Sequence, residues 1–181
     1  MILTQARLSL CSGFVSLVIS NIINKFKGEE GWLLGKGPTL DVLPHERNGI
    51  TIAINDTPCF ANYRLWTDGC RDIIDNAEIL QPDYRCNGGY PVYNKLDEVP
   101  LTPEDTSKIY QAGGSATAAL HFAFIMGLCP INVLGIDGGG GYSKAWGRKY
   151  TEENEVSYGI IRNEFDKLAK HLNLNLTIWT L

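Results

Sequence analysis

From Gly31 onward the apolar positions fall into short runs that alternate with helical or irregular stretches, the pattern of a mostly parallel sheet covered on both faces. Gly31-Trp32-Leu33-Leu34-Gly35 reads as the first strand. Gly49 to Asn55 is the second, and its unbroken Ile-Thr-Ile-Ala-Ile run suits a strand buried on both sides. Tyr63 to Thr67 is a third, Asp68 is placed to cap a short helix after it, and Ala77 to Leu80 gives a brief fourth. Between Gln81 and Pro103, prolines, an Asn87-Gly88-Gly89 turn and tyrosines occur without periodicity, which predicts a long irregular insertion. The strongest helix and strand unit comes next: Ser115 to Leu128, rich in Ala, Leu and Phe, then Ile131 to Ile136. Gly138 to Gly141 predicts a mobile loop, Glu155 to Leu172 an amphipathic helix, and Leu176 to Leu181 a closing strand. The expected fold is α/β: a single Rossmann-like nucleotide-binding domain over residues 29–181, with helices on both faces of a mostly parallel sheet. A helical segment over residues 1–28 precedes it.

In that segment Leu8, Phe14, Leu17, Val18 and Ile22 lie near helical spacing, so it is expected to pack on the domain; the alternative is a helix making peripheral membrane or partner contact. Arg7, the interrupting Ser and Asn residues and the lack of a small-residue cleavage site fall short of a secretory signal or a spanning helix. Among the 181 residues 44% are hydrophobic and 20% charged, the composition of one soluble globular domain. A net charge of −4 lacks the broad cationic surface that nucleic acid needs, so no nucleic-acid partner is expected and any anionic ligand must be held locally. Five cysteines, odd in number and without paired C-x-x-C spacing, predict reduced thiols, no metal site and a cytoplasmic location.

Two glycine-rich loops carry the candidate chemistry. Gly35-Lys36-Gly37-Pro38-Thr39-Leu40 follows the first strand, where the missing Cβ atoms would let backbone N–H groups approach phosphate oxygens. It is neither a Walker A sequence nor a G-x-G-x-x-G fingerprint, and a tight turn with Lys36 in solvent explains it equally well. Gly113-Gly114-Ser115-Ala116-Thr117 opens a helix, so free N–H groups, the positive dipole end and two hydroxyls converge there; Ser115 as a simple helix cap is the plainer account. Asn55, Asp68 and Asp137 follow the second and third strands and the strand Ile131 to Ile136. All three are expected on the same rim, placed for ribose or sugar hydroxyls, a base, Mg²⁺ with phosphate, or the capping of a turn.

Taken together, Leu34-Gly35-Lys36-Gly37-Pro38-Thr39-Leu40, the Gly113-Gly114-Ser115-Ala116-Thr117 helix start and Val133-Leu134-Gly135-Ile136-Asp137 resemble the Rossmann-like superfamily of small bacterial sialyltransferases. They look equally like the archaeal-type 6-hydroxymethylpterin diphosphokinases and motility-accessory glycosylation proteins. The resemblance covers roughly residues 31–137. It implies that the first loop approaches ligand phosphates, Asn55 the nucleoside, and Ser115 with Thr117 the phosphate or donor sugar, with Asp137 at the crevice rim. The sequence departs from the sialyltransferase pattern in lacking a clear match for its catalytic histidine and its phosphate-holding tyrosine pair.

The remaining candidates follow from residue chemistry. His121 lies within the apolar helix and reads as a buried, hydrogen-bonded residue; His171 near a helix end reads as exposed; His45 could reach the site from the connection after the first loop. Tyr90, Tyr93 and Tyr142 could donate to phosphate or stack on a base, and Arg64, Arg71, Arg85, Lys144 and Arg148 could neutralise it. Asp137, Tyr142 and His45 are the candidate catalytic set. The expected activity is that of a nucleotide-dependent transferase, nearest to a sialyltransferase-like glycosyltransferase with a nucleotide or nucleotide-sugar ligand. One alternative is pyrophosphokinase-like transfer from ATP, with Mg²⁺ on Asp68 and Asp137; another is a non-catalytic nucleotide-binding or sequestering protein. Homo-oligomerisation is left open by the sequence.

Overall fold

A computed structural model of the chain describes residues 19–65, 78–80, 91–146 and 149–181. Its centre is a six-stranded, wholly parallel sheet built from β1 (Gly31–Leu34), β2 (Ile50–Ile54), β3 (Tyr63–Leu65), β4 (Glu78–Leu80), β7 (Ile131–Leu134) and β8 (Leu176–Ile178), in the order β4-β3-β2-β1-β7-β8. The chain therefore steps outward from β1 through β2, β3 and β4, and later returns to the other side of β1 with β7 and β8. Leu33 is in register with Ile52 on one side and with Val133 on the other. The place where the winding direction reverses, between β1 and β7, is the switch point at which such sheets open a crevice beyond their carboxyl ends.

Side-chain alternation assigns the two faces. Leu33, Ile52, Ile54, Tyr63, Leu65 and Val133 join one large core with α1 (Ser115–Ile125) and α2 (Glu152–His171), to which Phe122, Phe165 and Leu168 contribute. Trp32, Leu34 and Leu134 point the other way and are covered by Leu40 from the 3-10 helix Pro38–Val42, with Leu43, Cys59 and Trp179 around them. Among the described residues the expected helical cover thus comprises two long helices on one face and a single short one on the other. α1 is buried from Ala116 to Ile125 because it lies between the sheet and α2, which explains why its sequence has no polar stripe.

Boundaries shift for local reasons. The strand expected to reach Ile136 stops at Leu134 because Gly135 takes φ +69, a left-handed conformation that ends the ladder. α2 starts at Glu152, one turn before the expected Glu155, because Thr151 and Asn154 form a reciprocal capping box. The described part of the expected irregular insertion holds regular structure: β5 (Val92–Tyr93) pairs in parallel with β6 (Ile109–Tyr110), with 3-10 turns at Leu96–Glu98 and Pro103–Asp105 between them. At the N-terminal end, residues 19–22 are helical, Ile19 and Ile22 enter the main core, and the amides of Asn24, Phe26 and Gly28 donate to Ile125, Met126 and Gly127. That end of the segment packs on the domain; Leu8, Phe14, Leu17 and Val18 of the expected apolar stripe lie outside the described residues. Among the described residues no helix is long and apolar enough to cross a membrane.

His121 ties the small sheet to α1: the Tyr110 amide donates to its Nδ1 at 2.9 Å, while Tyr93 packs edge-on and Phe124 stacks against the ring. Its burial, with the charge of His171 nearby, lowers its pKa to about 3. His171 is half-buried, with Nε2 2.9 Å from the Val99 carbonyl, rather than the free surface residue its position suggested. Below the ordinary histidine value the unfolded chain takes up a proton that folded His121 refuses until about pH 3, so acidification through that window favours unfolding. Urea titrations should show stability falling toward lower pH, with His121 contributing about 1.4 kcal/mol per pH unit. The variant His121→Asn, which keeps an acceptor for Tyr110, should lose that share of the slope.

Candidate functional site

A cleft with about 630 Å³ of empty space, partly open to solvent, lies at the switch point. Its walls are the loops after β1 and β7, the end of β2 at Ile54 and Asn55, the start of α1 at Ser115 and Ala116, and Tyr158 and Ile161 of α2. Lys36, Ser115 and Asp137, drawn from three distant parts of the chain, line this one cleft.

The loops after β1 and β7 are clasped together. Gly35 donates to Leu134 and Gly37 donates to Gly135 at 2.8 and 2.9 Å. Thr39 Oγ1 donates to Asp137 Oδ1 at 2.6 Å and accepts from the Gly135 amide at 2.7 Å, and the Thr39 amide donates to Asp137 Oδ2 at 3.2 Å. A Cβ on Gly35 would run into the Gly135 carbonyl, and one on Gly37 into the Asp137 carboxylate. These glycines therefore serve the approach of one loop to the other. The amides of Gly35, Gly37 and Thr39, expected to face a phosphate, are engaged within the protein. Asp137 does reach the cleft, but both carboxylate oxygens accept from Thr39. Pro38 starts the 3-10 turn that carries Thr39 into place, and lies below Gly141.

Among the described lining residues Lys36 is the cationic one. Its Nζ pairs with the Asp56 carboxylate and stands 4.0 Å above the ring of Trp146, while its carbonyl accepts from the Ser143 amide at 2.8 Å. Asn55 leaves β2 with φ +51, a left-handed turn that asparagine tolerates well. It is held from behind: buried Arg64 donates to the carbonyls of Asn55, Thr57 and Cys59 at 2.7, 3.0 and 2.8 Å. Arg64 is thus a buried brace for the β2 loop instead of a phosphate partner. Asn55 Nδ2 in turn donates to Ser115 Oγ at 3.3 Å.

The N-terminus of α1 opens onto this point. Gly113 and Gly114 both take positive φ, and Gly114 occupies the N-cap position with no side-chain cap, so Ser115 is the first residue of the helix. First-turn amides have no acceptor inside their own helix, and Ser115 and Ala116 bring them to the cleft wall. Thr117 does not accompany them: it is fully buried and its hydroxyl donates back to the carbonyls of Ala112 and Gly114. Gly113 packs against Glu164 outside the lining.

The wall opposite comprises the β7 loop and α2. Gly138, Gly139 and Gly141 line the cleft with Tyr142, whose hydroxyl is 2.9 Å from that of Tyr158. Tyr150 packs edge-on to Tyr142, at 5.1 Å between centroids, and donates to Glu155 Oε2 at 2.8 Å; the Gly140 amide donates to the same oxygen at 2.9 Å. Burial and the bond to Glu155 push the Tyr150 phenol up to about 12. The Gly140 amide, followed by the Tyr150 hydroxyl, holds the Glu155 carboxyl below the usual range. Tyr158, Trp146 and Glu155 escaped the sequence reading. A signal existed for α2, since residues 155, 158 and 162 recur at helical spacing, but only the apolar positions of that helix were informative about packing.

Other expected participants lie elsewhere. His45 is exposed on the connection between the 3-10 helix and β2 and does not line the cleft. The physical reason is direction: to start a parallel β2 the chain must run back to the amino end of the sheet, where Trp32 Nε1 donates to the Asn48 carbonyl at 2.8 Å. Tyr93 is buried against His121. Lys144 is exposed, its amide donating to Asp41. Asp68, Arg71, Arg85, Tyr90 and Arg148 lie outside the described residues.

No protein-family model, curated protein or solved structure matches the chain. The clasp itself is open to measurement. Thr39→Val removes one donor to a carboxylate and strands the Gly135 amide, so chemical denaturation should show a loss of about 2–3 kcal/mol. Thr39→Ser, which restores the hydroxyl, should recover most of it.

Proposed function

We propose that the switch-point cleft binds a phosphorylated nucleotide and uses it as the donor in a transferase reaction, nearest to the sialyltransferase-like glycosyl transfer that the sequence motifs resemble. The observation that carries this reading is the amino end of α1, whose N-cap Gly114 supplies no side-chain cap, opening with Ser115 and Asn55 beside it into the cleft above the clasped β1 and β7 loops. Oriented amides and the positive end of a helix bind phosphate without a surrounding cationic surface, which suits a chain of net charge −4. Lys36, ion-paired with Asp56, is the cation beside that end. The same groups, fixed before the reaction, would stabilise negative charge growing on a departing phosphate.

The Mg²⁺-bridged alternative places the ion on Asp68 and Asp137, of which Asp68 lies outside the described residues. Asp137 is the sole carboxylate among the described lining residues, both its oxygens accept from Thr39, and no group of three acidic, histidine or cysteine side chains is assembled among the described residues. A second reading, a domain that holds a nucleotide without turning it over, is favoured by one specific observation: none of the described lining residues is a histidine, and His45 lies outside the cleft.

Thermal unfolding with CMP, UDP, GDP, ATP and NAD, each with and without EDTA, tests the proposal. A ligand at a hundred times its Kd should stabilise the native state by about 2.7 kcal/mol, or roughly 5–10 °C in Tm for a domain of this size. At least one nucleotide should shift Tm, EDTA should not abolish the shift, and Ser115→Ala should reduce it. Absence of any shift overturns nucleotide binding. A shift that vanishes with EDTA restores the metal-dependent reading, and binding without consumption of a nucleotide-sugar points to the non-catalytic one.

A further inference from the structure

Four consecutive glycines, Gly138 to Gly141, all take positive φ, at +79, +146, +80 and +113. Such a run has no side chains with which to fix its own path, and glycine loses more backbone freedom on ordering than any other residue. Its shape must therefore be imposed from outside. Three residues of α2, at positions i, i+3 and i+7, meet the chain between Ile136 and Tyr142 from one helix stripe. Arg162 Nη1 donates to the Ile136 carbonyl at 2.7 Å, Tyr158 contacts the Tyr142 hydroxyl at 2.9 Å, and Glu155 accepts from the Gly140 amide at 2.9 Å. Gly138 and Gly139 lie so close to this stripe that a Cβ would collide with the Arg162 side chain at the first and the Glu155 carboxylate at the second.

Within the stripe Glu155 has a distinct task. Arg162 holds the start of the loop and Tyr158 its end, whereas Glu155 grips the middle and, through the same oxygen, the Tyr150 hydroxyl. Tyr150 then packs edge-on to Tyr142, a residue of the cleft wall. One carboxylate thereby couples the glycine run to the aromatic side of the cleft, although Glu155 does not itself line it.

We propose that Glu155 is a positioning residue: it imposes the conformation of the Gly138 to Gly141 run and the orientation of Tyr142, and so keeps the cleft in its ligand-ready form. The link to ligand affinity rests on the nucleotide reading; the structural role does not. Hydrogen exchange read by mass spectrometry on the full chain separates the two. In Glu155→Ala the amides of residues 138–142 should exchange at least tenfold faster than in the wild type, with the α1 amides unchanged. Glu155→Gln keeps an oxygen acceptor for Gly140 and should return exchange to within about threefold of wild type. Equal exchange in wild type and Glu155→Ala, or identical behaviour of the Ala and Gln variants, overturns the proposal. If a nucleotide shifts the wild-type Tm, its Kd should rise about tenfold in Glu155→Ala and recover in Glu155→Gln. An unchanged Kd beside faster exchange overturns the ligand-ready part. If no nucleotide shifts the wild type while the exchange pattern holds, nucleotide binding fails and the control of the loop by Glu155 stands.

Discussion

Adjacent parallel strands connected in opposite directions tend to part beyond their last paired residues, and the constraint on which this domain depends is that β1 and β7 are not allowed to do so. Gly35 and Gly135 let the two backbones touch, and Thr39 and Asp137 lock them with a short hydroxyl to carboxylate bond. A hydrogen bond to a charged oxygen in a partly buried place is worth more than an ordinary one, and the Thr39 hydroxyl satisfies an amide at the same time. With the two loops held together below, the cleft can open only toward the start of α1 and the face of α2. The floor, the amide-lined end and the aromatic wall follow from that single tie.

The packing around the floor explains an uneven distribution of polar groups. α1 is apolar along nearly its whole length because sheet, α2 and β6 enclose it, so its polar features are confined to its amino end and to His121. The second face of the sheet buries Arg64, whose guanidinium closes three carbonyls of a tight loop; burial of so costly a group is sustained by its hydrogen bonds. Polar side chains in this domain are placed where backbone needs partners.

Much of the sheet was legible because buried parallel strands are written as unbroken apolar runs, as in Ile50 to Ile54, and because Ser115 to Ile125 lacks any polar stripe. The convergence of Lys36, Ser115 and Asp137 was legible from the rule that loops after parallel strands share an edge. What those residues touch was not. Thr39 and Asp137 are 98 positions apart, and no local pattern marks the one as the partner of the other. Thr117 looked like a ligand hydroxyl because its position suited one, but a threonine hydroxyl often bonds back to a preceding carbonyl, and this one, in the first turn of α1, does. His45 was misplaced because the return path of a connection depends on where the next strand begins. The short β5 and β6 pair went unseen since two-residue strands leave no periodicity to read.

The brace that Arg64 provides has a consequence for how such a cavity could change in evolution. On the β2 side, the Asn55 carbonyl is pinned by the guanidinium of a residue sealed within the fold, so a substitution there must disturb the sheet before it alters the shape of the cavity. On the α2 side, the surface is a glycine ribbon laid against three helix side chains that can be exchanged with little cost to the core. One half of the cavity is conservative by construction and the other adaptable, and divergence in the shape of the cavity is expected to accumulate along the helix.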